Sequence, residues 1–325
     1  MDPKALQQHR WRNTLHTLAM LGGMGGLLGL IGYVMSGWGG VVWLSVLWLA
    51  TVLFAPRVSP RWALRMNGAS PIQPHEARTL YRTVQELTER ANLPVAPQLY
   101  YLPSHAPNAI TLGNMQRPYI AVSEGLLQML STRELRGVLA HEIAHIKNND
   151  LKLMTMADSM SRVTSLISMF GQLLLLIQFP LLLFGQKTIP WLLLLLLIVA
   201  PMASRLLGLA LSRVREFEAD REAVRLTEDP VGLANALQRV ERSQFSLWQI
   251  FWPISQSRTA SLFRTHPASE ERIERLMALK SRYRQRPQRI MRPSNEEPVL
   301  TLEFDPWSGT WSKNSQYYHR RVYYF

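Results

Sequence analysis

The sequence has no cysteine, and it has no charged residue over unusually long stretches. A chain of 325 residues without cysteine can form neither disulfides nor thiolate metal sites, which agrees with a reducing compartment. No Lys, Arg, Asp or Glu lies between Arg12 and Arg57, a length that suits two membrane-spanning helices joined by a turn at residues 36–40. Residues 163–186 and 188–204 are also uncharged and predict a second transmembrane hairpin. Core helices of a soluble protein are the alternative, but these would carry a polar stripe that the stretches lack.

Basic residues flank the predicted hairpins almost entirely on one side, since the two connecting turns carry only Lys187. They occur in residues 4–12 and 57–65 around the first hairpin, and Arg162 and Arg205 bracket the second. Because basic flanks stay on the cytoplasmic side, we expect both termini and everything outside the hairpins to be cytoplasmic, in a bacterial inner membrane. The flanks and the attraction of anionic lipid explain most of the net charge of +13. No nucleic-acid-binding module is recognisable, so the predicted partner is the lipid bilayer and not a nucleic acid.

Glycine is frequent in the first uncharged stretch. Gly22 and Gly26, and likewise Gly25 and Gly29, repeat four residues apart and would share one helix face. Small residues at this spacing let another helix approach closely, so we expect close helix packing there.

The charged parts of the chain predict a mostly helical α+β fold with a small sheet. Residues 75–93 have apolar side chains at helical spacing, and residues 97–103 and 117–123 are short runs typical of strands. Residues 105–114 form a third extended piece between them. An edge strand here could pair with an outside peptide, although an ordinary small sheet packed on a helix fits the pattern equally well.

The stretch "LAHEIAHIKN" contains two histidines four residues apart on a predicted helix. Ser131 and Glu134 form a capping box at the start of that helix. His141 and His145 would therefore lie on one helix face, where they can bind one metal ion. Glu142 could take a proton from water beside such an ion. A helix surface with two solvated histidines is the simpler alternative.

A catalytic zinc site needs a third protein ligand and an open position for water. The stretch "REFEAD" offers Glu216, Glu218 and Asp220, and the first and last of these lie four residues apart. Either could ligate zinc while the other accepts a hydrogen bond from a ligating imidazole. The second hairpin would return the chain to its starting side and bring this stretch close to His145.

Several motifs in series resemble the HtpX-type membrane zinc metalloproteases, which are relatives of the CAAX prenyl proteases. The resemblance covers residues 80–276. It rests on the segments "PNAITLGN", "VSEGLL", "ELRGVLAHEIAHIKNND", "SRVREFEAD" and "RTHPASEERIERL". It implies a zincin-type (gluzincin) peptidase core with a transmembrane hairpin inserted between the motifs that carry the ligands.

By matching positions, the resemblance implies one zinc ion and a set of site residues. His141, His145 and Glu216 correspond to the zinc ligands, Glu142 corresponds to the general base, and Asp220 corresponds to a supporting carboxylate. Further matches are a substrate-binding pair on the edge strand and a pair beside the active site: Asn108 and Ala109, then His266 and Arg272. His266 could stabilise the oxyanion, although a histidine at a helix start can also be a cap or a core residue.

The sequence divides into five predicted parts. These are a transmembrane hairpin (1–58), the first part of the peptidase domain (59–162), an inserted transmembrane hairpin (163–204), the second part of the peptidase domain (205–292) and a C-terminal extension (293–325). The extension has no counterpart in the resemblance.

The leading hypothesis is an integral membrane zinc endopeptidase that cleaves misfolded or damaged proteins, including membrane proteins, at the cytoplasmic face. Glu142 would activate water for attack on the peptide carbonyl and pass the proton to the leaving amine. Other membrane proteases or a second copy of the chain are further expected partners. The alternatives are a prenyl-protein-type protease and a non-catalytic, zinc-binding membrane scaffold.

Overall fold

The computed structural model describes residues 3–54, 59–183, 191–250, 270–284, 303–305 and 310–312. These residues are mostly helical and include one small mixed sheet, which confirms the predicted fold class. The helices are α1 (Pro3–Phe54), α2 (Pro60–Met66), α3 (Arg78–Ala91), α4 (Glu124–Met129), α5 (Thr132–Lys147), α6 (Asp150–Leu183), α7 (Trp191–Thr227), α8 (Pro230–Ile250) and α9 (Glu270–Arg284). The strands are β1 (Ser70–Pro71), β2 (Gln98–Leu102), β3 (Ala109–Asn114), β4 (Arg117–Ser123), β5 (Glu303–Asp305) and β6 (Thr310–Ser312).

Helix α1 is a hairpin and not a straight rod. Its backbone leaves helical geometry at Ser36 and Gly37, the predicted turn, where Gly37 has a φ of 60°. Met24 and Trp48 belong to one apolar cluster, although a straight helix would hold them about 36 Å apart. The two arms touch most closely at Gly32 and Gly40, where a Cβ atom on Gly40 would lie only 2.0 Å from the Gly32 carbonyl oxygen.

Helices α6 and α7 form the second predicted hairpin. The Gln172 side-chain amide donates a hydrogen bond of 2.7 Å to the Leu197 carbonyl oxygen, which satisfies a polar group within an apolar stretch. The first hairpin packs against this pair, since the Trp48 indole N–H donates to Ser159 Oγ at 3.1 Å. The two hairpins thus form one helical bundle.

The bundle exposes an extensive apolar surface. Among the described residues, the stretches Thr14–Leu53 and Leu192–Thr227 are long and apolar enough to cross a membrane. A soluble protein would bury most such side chains, whereas here many are half exposed or more, as expected for a surface that faces lipid. Examples are Leu18, Trp38, Trp43, Leu53, Phe170, Leu195, Ile198, Met202 and Leu209.

The four-stranded sheet has the order β1-β2-β4-β3. Strands β2 and β4 are parallel, while β1 and β3 join them antiparallel at the two ends. Strand β3 contains Ala109 and lies at one edge of the sheet, as predicted. Its buried residues Ala109 and Thr111 alternate with the less buried Ile110 and Leu112, so the first pair faces α5.

Helix α5 lies at the centre of the core. Its predicted capping box is present, because Ser131 accepts from the Glu134 N–H and Glu134 accepts in turn from the Ser131 N–H. Apolar side chains of α5 pack against α3, the sheet, α7 and α8. Gly137 permits the contact with α8, since a Cβ atom there would lie 3.0 Å from the Leu233 backbone. The central helix is therefore packed against other elements on several sides.

The connection from α5 to α6 is short, and α7 is continuous. Helix α6 begins at Asp150, directly after Asn149, which adopts a left-handed conformation (φ 54°) and separates α5 from α6. Helix α7 runs without a break from its apolar start through Glu216 to Thr227.

The expected close packing at the first glycine pairs is wrong. An added Cβ atom would have no neighbour within 4 Å at Gly22, Gly26 or Gly29, and at Gly25 only the Met160 terminal methyl would lie 4.0 Å away. Because the arms converge towards their turn, the close approach occurs further along the chain, between Gly32 and Gly40.

We expect Gly40→Ala to lower the apparent melting temperature of the detergent-purified protein. The new methyl group would overlap the Gly32 carbonyl and push the arms apart, and such overpacking costs about 1–3 kcal/mol. Gly22→Ala is the matched control, because its methyl group meets open space and alanine favours the helix. Equal melting temperatures for the two variants would contradict this account of the hairpin.

Candidate metal centre

Three buried side chains from two helices converge on one point. His141 and His145 on α5 and Glu216 on α7 each offer a ligand atom, and these atoms all lie within 4.8 Å of one another. The two Nε2 atoms are 3.1 Å apart, and the Glu216 carboxylate oxygens lie 3.4 Å from His141 Nε2 and 3.6 Å from His145 Nε2. Ligands bound tetrahedrally at 2.0–2.2 Å from an ion are about 3.3–3.6 Å apart, so the spacing fits one metal ion.

The second hairpin explains how residues so distant in sequence meet. Helix α6 leaves the site at Asp150, and α7 returns to it with Glu216. Glu216 lies 12 residues beyond Ser204, the end of the uncharged stretch, or about 18 Å along the helix axis. The metal centre therefore lies beyond the apolar part of the bundle.

Each imidazole is oriented by a carboxylate on its other ring nitrogen. His141 Nδ1 lies 2.9 Å from Asp220 Oδ1, and His145 Nδ1 lies 2.8 Å from Asp150 Oδ2. A carboxylate there favours the tautomer with the proton on Nδ1, in which Nε2 is the atom that can bind a metal. Both Nε2 lone pairs then point at the same place.

Two arginines hold the carboxylates in turn. Arg272 on α9 donates to both Asp220 oxygens at 2.7 Å and lies 2.9 Å from Glu216 Oε2. Arg215 on α7 donates to Asp150 Oδ1 at 2.5 Å. Arg272 is almost fully buried, and the carboxylates of Asp220 and Glu216 balance its charge.

The charge balance of the site favours a divalent cation. Among the residues that the structure describes, four carboxylates surround the two imidazoles and two guanidinium groups neutralise them. With neutral imidazoles, two buried negative charges remain, and burial without a counter-charge would be costly. The carboxylates are Glu142, Asp150, Glu216 and Asp220, and the guanidinium groups are those of Arg215 and Arg272.

The ionisation of the site reflects this crowding of charge. Burial lowers the pKa of His141, but hydrogen bonds to Asp220 and Glu216 outweigh burial, and the pKa is raised. For Arg272, burial also lowers the pKa, but the charge of Asp220 and the hydrogen bonds to it raise the pKa above its ordinary value. Arg272 thus stays a cation.

Glu142 projects from α5 between the ligands and the sheet. Its Oε2 accepts a hydrogen bond of 2.5 Å from the Thr111 hydroxyl on β3, and both side chains are buried. Beside them, Asn108 and Ser123 exchange hydrogen bonds, through Asn108 N–H to Ser123 Oγ at 2.8 Å and Ser123 N–H to the Asn108 carbonyl at 2.9 Å. These bonds fix the start of the edge strand, three residues before Thr111.

The structure brings together most of the site residues predicted from the sequence. His266 lies outside the described residues, and its role stays a prediction. Sequence reasoning missed three contacting residues: Asp150, Arg215 and Thr111. The sequence carries a signal for Asp150, which lies five residues after His145 and directly follows the Asn148-Asn149 pair that ends the helix. Thr111 carries no local signal.

Comparison with known proteins identifies the family. The profile of peptidase family M48 matches residues 74–280. The chain is 34% identical over 266 residues to a protease HtpX homolog of Methylibium petroleiphilum, covering 76% of this chain and 90% of the relative. It is 36% identical over 270 residues to a homolog of Acaryochloris marina, covering 78% and 90%. A homolog of Kineococcus radiotolerans is 38% identical over 253 residues, covering 72% and 84%.

Among solved structures, the crystal structure of S. mikatae Ste24p is similar, with a TM-score of 0.38 and 20% identity. The match covers 84% of this chain and 66% of that one. The sequence matches, and not this structural likeness, identify the protein: the chain belongs to peptidase family M48 and is a membrane metalloprotease.

Proposed function

We propose that the protein is a zinc-dependent endopeptidase of the bacterial inner membrane, which cleaves misfolded or damaged proteins at the cytoplasmic face. The observation that carries this proposal is the convergence of two imidazoles and one carboxylate, 3.1 to 3.6 Å apart, beside Glu142. Two nitrogen ligands, one oxygen ligand and no sulfur suit zinc in a catalytic site with one open position.

In this proposal His141, His145 and Glu216 bind zinc, and Asp150 and Asp220 orient the two imidazoles. When bound, zinc would act as a Lewis acid towards the peptide carbonyl and towards the attacking water. Glu142, adjacent to His141 in sequence, takes the proton of that water and delivers it to the leaving amine. His266 would stabilise the oxyanion.

Substrate would lie along the edge of the sheet. Within the described part of the chain, strand β3 pairs with β4 on one side, so an extended peptide can pair with its other edge. Asn108 and Ala109 lie at the start of this edge, where backbone pairing would place a peptide bond near Glu142. Backbone recognition tolerates many side chains, which suits a protease that selects unfolded segments.

The cytoplasmic orientation rests on the basic flanks. Arg162 and Arg205 lie between the metal centre and the uncharged parts of α6 and α7, and Arg61 and Arg65 follow the first hairpin. The excess of basic residues at these ends favours the cytoplasmic side. Association with other membrane proteases or with a second copy of the chain stays a prediction.

The orientation can be tested by cysteine labelling, because the natural chain has no cysteine. Gly39→Cys, at the exposed turn of the first hairpin, should react with a membrane-impermeant maleimide added to intact spheroplasts. Glu89→Cys, exposed on α3, should react only after the membrane is permeabilised. The reverse pattern would contradict the proposed orientation.

The proposed general base predicts that Glu142→Gln retains zinc and loses casein cleavage, by at least about 100-fold. Glutamine has the same shape but cannot accept the proton. Zinc content and cleavage would be measured side by side on the detergent-purified variant and wild type. A fully active variant would refute the mechanism, and cleavage by neither protein would favour a zinc-binding scaffold.

The proposed role of Asp150 predicts that Asp150→Asn weakens zinc binding by about 10- to 100-fold, as is typical when such a supporting carboxylate is lost. Competition with a chelating fluorophore measures this affinity directly. The matched control is Asp158→Asn, which removes an exposed carboxylate that pairs only locally with Arg162 on the same helix. Equal zinc affinity in the two variants would contradict the proposed role of Asp150 in zinc binding.

A further inference from the structure

The contact between Thr111 and Glu142 links the sheet edge to the metal-binding helix. Thr111 is in the middle of β3, and Glu142 is in the third turn of α5, 31 residues later. Their side-chain oxygens are 2.5 Å apart, the distance expected when a hydroxyl donates to a carboxylate. Only 6% of Thr111 and 3% of Glu142 is exposed, so water competes little for this hydrogen bond.

A glutamate used for proton transfer needs a fixed orientation. Its side chain has three rotatable bonds, and fixing them costs entropy that a directed hydrogen bond can offset. Because Thr111 donates to Oε2, it restricts the rotation of the Glu142 carboxylate. The hydroxyl therefore helps to set the orientation in which the carboxylate meets the reacting group.

The position of Thr111 also relates this orientation to the substrate. Thr111 and Ala109 are two residues apart on β3 and face the same side, towards α5. A peptide paired with the edge of β3 would be aligned by the same strand that orients Glu142. The strand thus holds the peptide and the Thr111 hydroxyl in one register, and that hydroxyl sets the orientation of Glu142 on α5.

We propose that Thr111 is a positioning residue of the peptidase, whose hydroxyl orients Glu142 and keeps it in register with a peptide bound along β3. The proposal rests on the peptidase function proposed above. It assigns to Thr111 an effect on turnover that exceeds its effect on substrate binding, because the hydroxyl contacts the base and not the substrate.

The test compares Thr111→Val, which keeps the shape and removes the hydroxyl, with Thr111→Ser, which keeps the hydroxyl. In the zinc-loaded protein, we expect the valine variant to lose about 10- to 100-fold in kcat with KM within about twofold, and the serine variant to recover most of kcat. The matched control is Thr88→Val. Thr88 is also 6% exposed, but its hydroxyl donates to the Val84 carbonyl in α3, away from the site.

A second readout does not depend on activity. In metal-free protein, melting temperatures would be measured for Thr111→Val, for Glu142→Gln and for the double variant. A direct contact predicts that the two single effects are not additive. Additive effects would overturn the proposal, and so would wild-type kcat in the valine variant or an equal loss of kcat in the valine and serine variants.

The two proposals fail in different ways. If wild type retains zinc but cleaves no substrate, the proposed function is wrong, while the melting temperatures still test the contact. If wild type cleaves and the melting effects are additive, Thr111 has no such role and the peptidase function stands.

Discussion

The orientation of two imidazoles by buried carboxylates is the constraint on which the site depends. Asp150 and Asp220 accept from the Nδ1 atoms, and so both Nε2 lone pairs point at one place. Buried carboxylates are themselves costly, and Arg215 and Arg272 compensate for them. The remaining negative charge makes the site unfavourable without a cation, which ties the local fold to metal binding.

The membrane hairpin contributes directly to this arrangement. The left-handed Asn149 ends α5 and turns the chain, so that the first residue of α6 reaches His145 while the rest of α6 enters the apolar bundle. Helix α7 returns as one continuous helix and presents Arg215 and Glu216 together. Helices α6 and α7 therefore cross the apolar region and also complete the metal centre. As a result, the distance between Glu216 and the two histidines depends on how these helices pack against each other.

Much of this architecture follows from local signals. The capping box, the histidine spacing and the uncharged stretches predict α5, its ligand face and both hairpins, because each reflects an interaction within a few residues. The contacts of Thr111 and Arg215 with their partners could not be predicted, since they depend on how β3, α5 and α7 pack in three dimensions. The first glycine pairs were misleading for the same reason: their spacing allows close approach, but the angle between the arms decides where it occurs.

Zinc K-edge X-ray absorption spectroscopy on the purified, zinc-loaded protein tests the central claim most directly. The account predicts one zinc ion per chain, coordinated by two imidazole nitrogens and by oxygen ligands at about 2.0–2.2 Å. His141→Ala should reduce the imidazole scattering to that of one ring. A spectrum without outer-shell scattering from two imidazoles in the wild-type protein would contradict the assignment of His141 and His145 as ligands.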